Sequence, residues 1–166
     1  LIRLLKNNYK TATLSRGYKR KTTGFAIADE ATTALEIGDE PMQFHQKFSN
    51  ITVAVGEERL VAIPQILHQR PATEVIILDD AFQHIWIQRD LDILIFDQKF
   101  LSSVNNIEQN LLPLGNMRES FDSVNRSDMI IINRKFSPKI NFPTKLKHHF
   151  SNKEVYFSFY IRRSYQ

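Results

Sequence analysis

The sequence predicts an α/β protein with a largely parallel sheet flanked by helices. Short continuous apolar runs carry the first part of that expectation. Val75-Ile-Ile-Leu78, Ile93-Leu-Ile-Phe96 and Met129-Ile-Ile-Ile132 have the length and β-branched content of strands buried on both faces. Segments with helical spacing lie among the strand-like runs, and strands alternating with helices favour parallel pairing. The third observation is chemical. The runs end in acids, at Asp79-Asp80 and at Asp97, and charges cannot remain in such an interior without compensation. They belong at the carboxyl ends of the strands, the edge where open α/β sheets bind ligands.

From the start of the chain, residues 1 to 8 read as the last turns of a helix stopped by Asn7-Asn8. Thr11-Ala-Thr-Leu14 is a short strand running into the basic loop Ser15-Arg16-Gly17-Tyr18-Lys19-Arg20-Lys21, and Gly24-Phe-Ala-Ile-Ala28 is a second. Gly38-Asp39-Glu40-Pro41 opens a helix. Proline suits the first turn, acids suit the positive end of the dipole, and Met42, Phe44 and Phe48 supply an apolar face. Ile51 to Val55 is a strand closed by Gly56. Arg59 to Gln69 reads as a helix with Leu60, Ile63 and Leu67 facing the core and Pro64 as a possible kink. Beyond the strands at 74–78 and 90–97 lie a loop-rich stretch over 100–116 and a short helix through Phe121 and Val124. A strand over 128–135, a loop bracketed by Pro138 and Pro143, a short helix over 145–150 and a strand over 154–160 complete the chain.

At 166 residues the chain suits one domain or a piece of a larger one. Its 42% hydrophobic and 24% charged content is that of an ordinary globular protein. The absence of cysteine excludes disulfides and thiolate metal sites. No apolar run approaches membrane-spanning length, and the first residues lack a signal-peptide pattern. A net charge of +4 favours anionic partners. Leu1 opens inside an apolar helical pattern and the last residues follow a strand-like run. The chain is therefore expected to be the middle of a longer protein. No internal boundary is assigned, and the stretch from about residue 136 onward is expected to lead into a second lobe.

Several residues could carry chemistry. Asp79 and Asp80 either cap a turn or hold a hydrated Mg²⁺ beside a phosphate, since Mg²⁺ keeps several waters and takes one or two carboxylates. Gln83 and His84 follow within a turn and could face the same pocket. Ser15-Arg16-Gly17-Tyr18 leaves a strand end, where Arg16 could grip phosphate and Gly17 allows close approach; a solvated basic loop is the alternative. Lys19, Arg20 and Lys21 read as solvent-facing charge. Asp39 is a general-base candidate at a helix start, set against a simple dipole role with Glu40. Glu119 is a further acid. None of the five glycines precedes a lysine, so no Walker A loop lies within the chain.

Together the motifs resemble the tetraacyldisaccharide 4′-kinase family, the lipid A kinases of Gram-negative bacteria. Leu14-Ser-Arg-Gly-Tyr18, Gly38-Asp-Glu-Pro41, Leu78-Asp-Asp-Ala-Phe-Gln-His84, Asp90-Leu-Asp-Ile-Leu94 and Leu111-Leu-Pro-Leu-Gly-Asn-Met-Arg-Glu119 stand in the family's order and cover most of the chain. Lys19 and Ala81 stand where the family's usual forms have Gly, and Met117 where they have Leu. The resemblance implies a P-loop NTPase-like fold, incomplete at both ends, whose Walker A loop lies before Leu1. It implies transfer of the ATP γ-phosphate, with Mg²⁺, to the 4′-hydroxyl of an acylated glucosamine disaccharide 1-phosphate.

Carried over by position, Asp39 is the proton acceptor, supported by Glu40. Asp79, Asp80 and Glu119 organise metal and phosphates, Gln83 and His84 share the pocket, and Ser15, Arg16 and Tyr18 contact substrate phosphate. The resemblance also implies a cytoplasmic enzyme in peripheral contact with the inner membrane, with no nucleic acid and no protein partner. The family's catalytic His belongs to a C-terminal part, and His148 and His149 lie too early to be its counterpart. The 166 residues by themselves are expected to be inactive. The competing readings are a non-catalytic module whose Arg16, Lys19, Arg20 and Lys21 hold an anion or a nucleic-acid strand, and another α/β phosphotransferase.

Overall fold

The computed structural model describes residues 1–102, 110–141 and 144–160. They form two compact units divided between Gln88 and Arg89, where the sequence reading assigned no boundary.

The first unit begins with α1 (Ile2–Leu5), followed by β1 (Thr11–Ser15), β2 (Ala26–Ile27), α2 (Ala34–Ile37), α3 (Asp39–Lys47), β3 (Thr52–Val55), α4 (Arg59–Gln69) and β4 (Val75–Leu78). Its sheet has the order β2-β3-β1-β4. β1 pairs in parallel with both β3 and β4, and only β2 runs antiparallel. This bears out the mixed α/β class with parallel strands. The burial is distributed differently from the expectation. β1, Thr-Ala-Thr-Leu-Ser, is buried at every residue, whereas the more apolar β4 is only half-buried throughout. The reason is position. β1 has a strand on each side, while β4 stands at the edge of its sheet.

The helix over Arg59–Gln69 forms with its expected bounds, but a different face is buried. Arg59, Ala62 and Ile66 are buried, whereas Leu60, Val61 and Leu67 are exposed. Its apolar residues lie almost all round the helix, so periodicity alone could not choose. Size could. Ala62 lets the helix approach the end of β3, where a Cβ placed on Gly56 would stand 3.1 Å from the Ala62 Cβ. On α3, Met42 and Phe44 pack on Ile37, Val53 and Val55. Ahead of it, Thr33 and Glu36 close a capping box on α2, with the Thr33 N–H donating to Glu36 Oε2 at 2.7 Å.

The second unit contains β5 (Ile93–Asp97), α5 (Gln98–Ser102), a 3₁₀ turn (Phe121–Arg126), β6 (Met129–Asn133), α6 (Thr144–Phe150) and β7 (Glu154–Ser158). Its sheet, β5-β6-β7, is wholly parallel. Leu101, Val124, Ile130, Ile132, Leu146 and Phe150 form its core, and Phe96, Phe100 and Phe121 pack against them. Phe96 stacks on Phe100 and Phe121 at 6.5 and 6.1 Å between ring centroids.

Candidate active site

The parallel register of β1 with β3 and β4 brings three strand ends together. The Gly56 N–H donates to the Ser15 carbonyl at 3.0 Å and the Asp79 N–H to the Leu14 carbonyl at 2.9 Å. The loops that leave this edge therefore start side by side.

Gly17 and Gly38 bring in a fourth element, the start of α3. A Cβ on Gly38 would lie 2.9 Å from the Tyr18 carbonyl oxygen and 3.2 Å from the Gly17 carbonyl carbon. One on Gly17 would lie 2.8 Å from the Ile37 carbonyl oxygen. The two backbones pass too closely for side chains, and both glycines have positive φ, at 71° and 93°. This contact places Asp39 and Glu40, at the first turn of α3, against the Arg16-Gly17-Tyr18 loop.

The charges of the edge interact. Partial desolvation, then the negative charges of Asp79 and Asp80, push the Glu40 carboxyl above its ordinary value. Burial and the neighbouring Asp80 likewise push Asp79 up, against the Asp80 N–H and the Arg59 charge. Desolvation and the nearby Arg16 lower the Arg59 guanidinium, opposed by Asp79, Asp80 and Glu57. Arg16, Glu40, Asp79 and Asp80 thus belong to one electrostatic cluster. Asp80 and Arg16 are exposed, as are Asp39 and Glu40.

Asp80 holds the turn. Its φ is +48°, in the left-handed region that Asp tolerates better than most residues. Ala81, which replaces a Gly of the resembling motif, is outside that region and packs with 6% exposure. Alanine therefore fits this turn without strain. Lys19 replaces another such Gly and does sit at positive φ, +63°, so the basic loop carries some backbone strain.

Ser15 Oγ is buried at the end of β1 and Gln83 Oε1 is buried in the loop that follows β4, both without a hydrogen-bond partner among the described residues. Tyr18 is 81% exposed at the loop tip. The His84 N–H donates to the Ala81 carbonyl at 2.9 Å, closing the turn that carries Gln83. Glu119 lies in the second unit, where it pairs with Arg126 at 2.7 Å after a tight turn closed by Leu112 and Met117. His149, on α6, stacks against Phe121 at 5.7 Å.

One sequence reading is corrected. Arg20 is not solvent-facing. Its side chain is 3% exposed and pairs with Glu57 at 2.5 Å. Arg59 went unnoticed in the sequence. It is 2% exposed, and it donates to the Gly56 carbonyl at 2.7 Å and the Asp79 carbonyl at 3.1 Å. It thereby ties the ends of β3 and β4. No spacing signal marks an arginine that turns inward to satisfy loop carbonyls.

Fold and edge together define an α/β protein with a charged ligand edge at the carboxyl ends of parallel strands. The family model described as tetraacyldisaccharide-1-P 4′-kinase matches residues 1–161, and the chain belongs to that family. It is 45% identical over 134 residues to the tetraacyldisaccharide 4′-kinase of Flavobacterium johnsoniae, covering 81% of this chain and 38% of that protein. With the Bacteroides thetaiotaomicron enzyme of the same name it shares 41% over 163 residues, covering 95% and 42%. A crystal structure of LpxK from Aquifex aeolicus in complex with ATP superposes with a TM-score of 0.73 at 31% identity. That match covers 91% of this chain and 45% of the other. The chain spans about two fifths of the length of the curated relatives it matches.

Proposed function

We propose that the gene product carrying this chain transfers the γ-phosphate of ATP to the 4′-hydroxyl of tetraacylated glucosamine disaccharide 1-phosphate, with Mg²⁺. The observation that carries this is the convergence of Arg16, Asp39, Glu40, Asp79 and Asp80 on one strand edge, in a chain of this family. Asp39 takes the proton of the attacking hydroxyl, with Glu40 beside it. Arg16 grips phosphate, and Ser15 and Tyr18 complete that contact. Gln83 and His84 line the same edge.

The donor set fits Mg²⁺. Burial first, and then the charges of neighbouring aspartates, raises the carboxyls of Asp79 and Glu40, and a divalent cation would offset that clustered negative charge. Among the described residues no three His, Asp or Glu side chains form a closed cage. Mg²⁺ needs none, because it keeps waters and shares phosphate oxygens. Asp79 and Asp80 would hold it, whereas Glu119, the acid that the motif adds in the second unit, pairs there with Arg126. The ion would neutralise charge on the phosphoryl oxygens.

Among the described residues no helix is long and apolar enough to cross a membrane. The acylated substrate and the net charge of +4 support peripheral contact with an anionic inner-membrane surface from the cytoplasmic side. Neither a protein partner nor a nucleic acid belongs to this reading. Arg20, one of the four basic residues in the nucleic-acid alternative, is already held in an ion pair. The 166 residues contain no Gly-rich loop followed by Lys. On their own they are expected to transfer no phosphate.

The test is label transfer from [γ-³²P]ATP to the acylated disaccharide by the gene product. Transfer is expected to stop with EDTA, return with MgCl₂ and be lost in Asp79→Ala. Salt-sensitive oligonucleotide binding that ignores Asp79→Ala, with no transfer, would overturn the reading.

A further inference from the structure

Arg20 and Glu57 have no role in the chemistry above, yet they form an ion pair beside the first unit's ligand edge, with the Arg20 side chain 3% exposed and that of Glu57 36%. Arg20 Nη2 donates to Glu57 Oε1 and to the Gly24 carbonyl, both at 2.5 Å, and the Gly24 N–H donates to Glu57 Oε2 at 2.9 Å. Both carboxylate oxygens are thus engaged, one by Arg20 in the middle of the loop that follows β1 and one by Gly24 near its end. Glu57 itself stands in the loop after β3. The Arg20 stem runs beneath Gly17, where a Cβ would lie 2.6 Å from Arg20 Cδ. The next residues are tied to α2, with the Lys21 N–H donating to the Leu35 carbonyl at 2.7 Å and Thr22 Oγ1 to the Glu36 carbonyl at 2.5 Å. α2 leads directly to Gly38 and Asp39.

We propose that the Arg20–Glu57 pair is a positioning device that locks the loop bearing Arg16 against the helix start bearing Asp39. It joins loops rather than strands or helices: the hydrogen bonds of Arg20 go to Glu57, Gly24 and Thr22. What it orders lies close by in sequence, since Arg16 is within the locked loop and Asp39 adjoins Gly38, which packs on Gly17 and Tyr18. The Arg20 charge, 3% exposed, is costly to leave unpaired, so removal of Glu57 should release the loop, and removal of Arg20 takes away the link itself. Displacements of about 1 Å remote from the reacting atoms can cost about 100-fold in rate. The kinetic consequence rests on the kinase reading; the lock itself does not.

Arg20→Ala, Glu57→Gln, their double variant and Arg20→Lys would be made in the gene product and compared below the unfolding range. Arg20→Ala and Glu57→Gln are expected to speed amide exchange over residues 17–24 by about tenfold or more, with β1 and β3 unchanged. In fully folded enzyme kcat/KM is expected to fall by about 10- to 100-fold, with partial recovery in Arg20→Lys. The double variant should lose little more than either single one, because both break the same contact. Unchanged exchange in the loop, or kcat/KM within about twofold of wild type in the folded variants, would overturn the proposal. A wild-type protein with no ATP-dependent transfer would refute the kinase reading, while the exchange experiment would still decide the lock.

Discussion

Asp39→Asn in the gene product is expected to lower kcat by about 10²- to 10⁴-fold, the range for loss of a positioned general base. Asn keeps the size and shape of the side chain at the start of α3 and removes only its basicity. The competing role for Asp39, an acid offsetting the helix dipole, is worth about 0.3–1 kcal/mol at an exposed site, and Asp39 is exposed. The two roles therefore separate cleanly. A proton acceptor gives a large fall in kcat with a nearly unchanged melting temperature, and a dipole partner gives the reverse. Asp80→Asn is the matching change on the other side of the edge. Asn is the right replacement there because φ is +48° and Asn tolerates that conformation. Loss of turnover then reports the carboxylate and not a disturbed turn.

Gly38→Ala is expected to have the largest effect on stability. Gly38 has φ 93° and ψ 160°, a region open almost only to glycine. Its Cβ would press on the Tyr18 carbonyl oxygen at 2.9 Å, a backbone atom that cannot rotate away. Strain and contact together should cost about 3 kcal/mol, read as a lower urea midpoint. The substitution should also separate the Arg16 loop from the start of α3, lowering activity in whatever protein remains folded. A loss below about 1 kcal/mol would mean that the two loops do not meet as described.

The α/β class and most of the elements were legible because they depend on local pattern. Val75–Leu78 and Met129–Asn133 read as strands, and Arg59–Gln69 as a helix with its observed bounds. Strand order was not legible, because it is set by non-local packing. That is why the mixed sequence of β1 proved more buried than β4. The face of α4 was unreadable for a related reason: Leu60, Val61, Ala62, Ile63, Ile66 and Leu67 offer apolar atoms in several directions, and the approach of Gly56 selects among them.

At the site, acids at strand ends and a Gly-Asp-Glu-Pro helix start could be read directly. Arg20 and Arg59 could not. A run such as Lys19-Arg20-Lys21 looks uniformly solvated, and only the fold shows that its middle residue turns inward to Glu57. The positive φ of Asp80 was equally hidden, because the motif comparison drew attention to Ala81.

The edge formed by β1, β3, β4 and the start of α3 is proposed to work in phosphoryl transfer to a sugar hydroxyl. The most direct test is ³¹P NMR of the acylated disaccharide 1-phosphate after incubation with ATP, Mg²⁺ and the gene product. The expected result is one new phosphomonoester resonance coupled to the proton at the 4′ position, absent with Asp39→Asn. A product phosphorylated elsewhere, or no product from a folded protein that binds ATP, would contradict it.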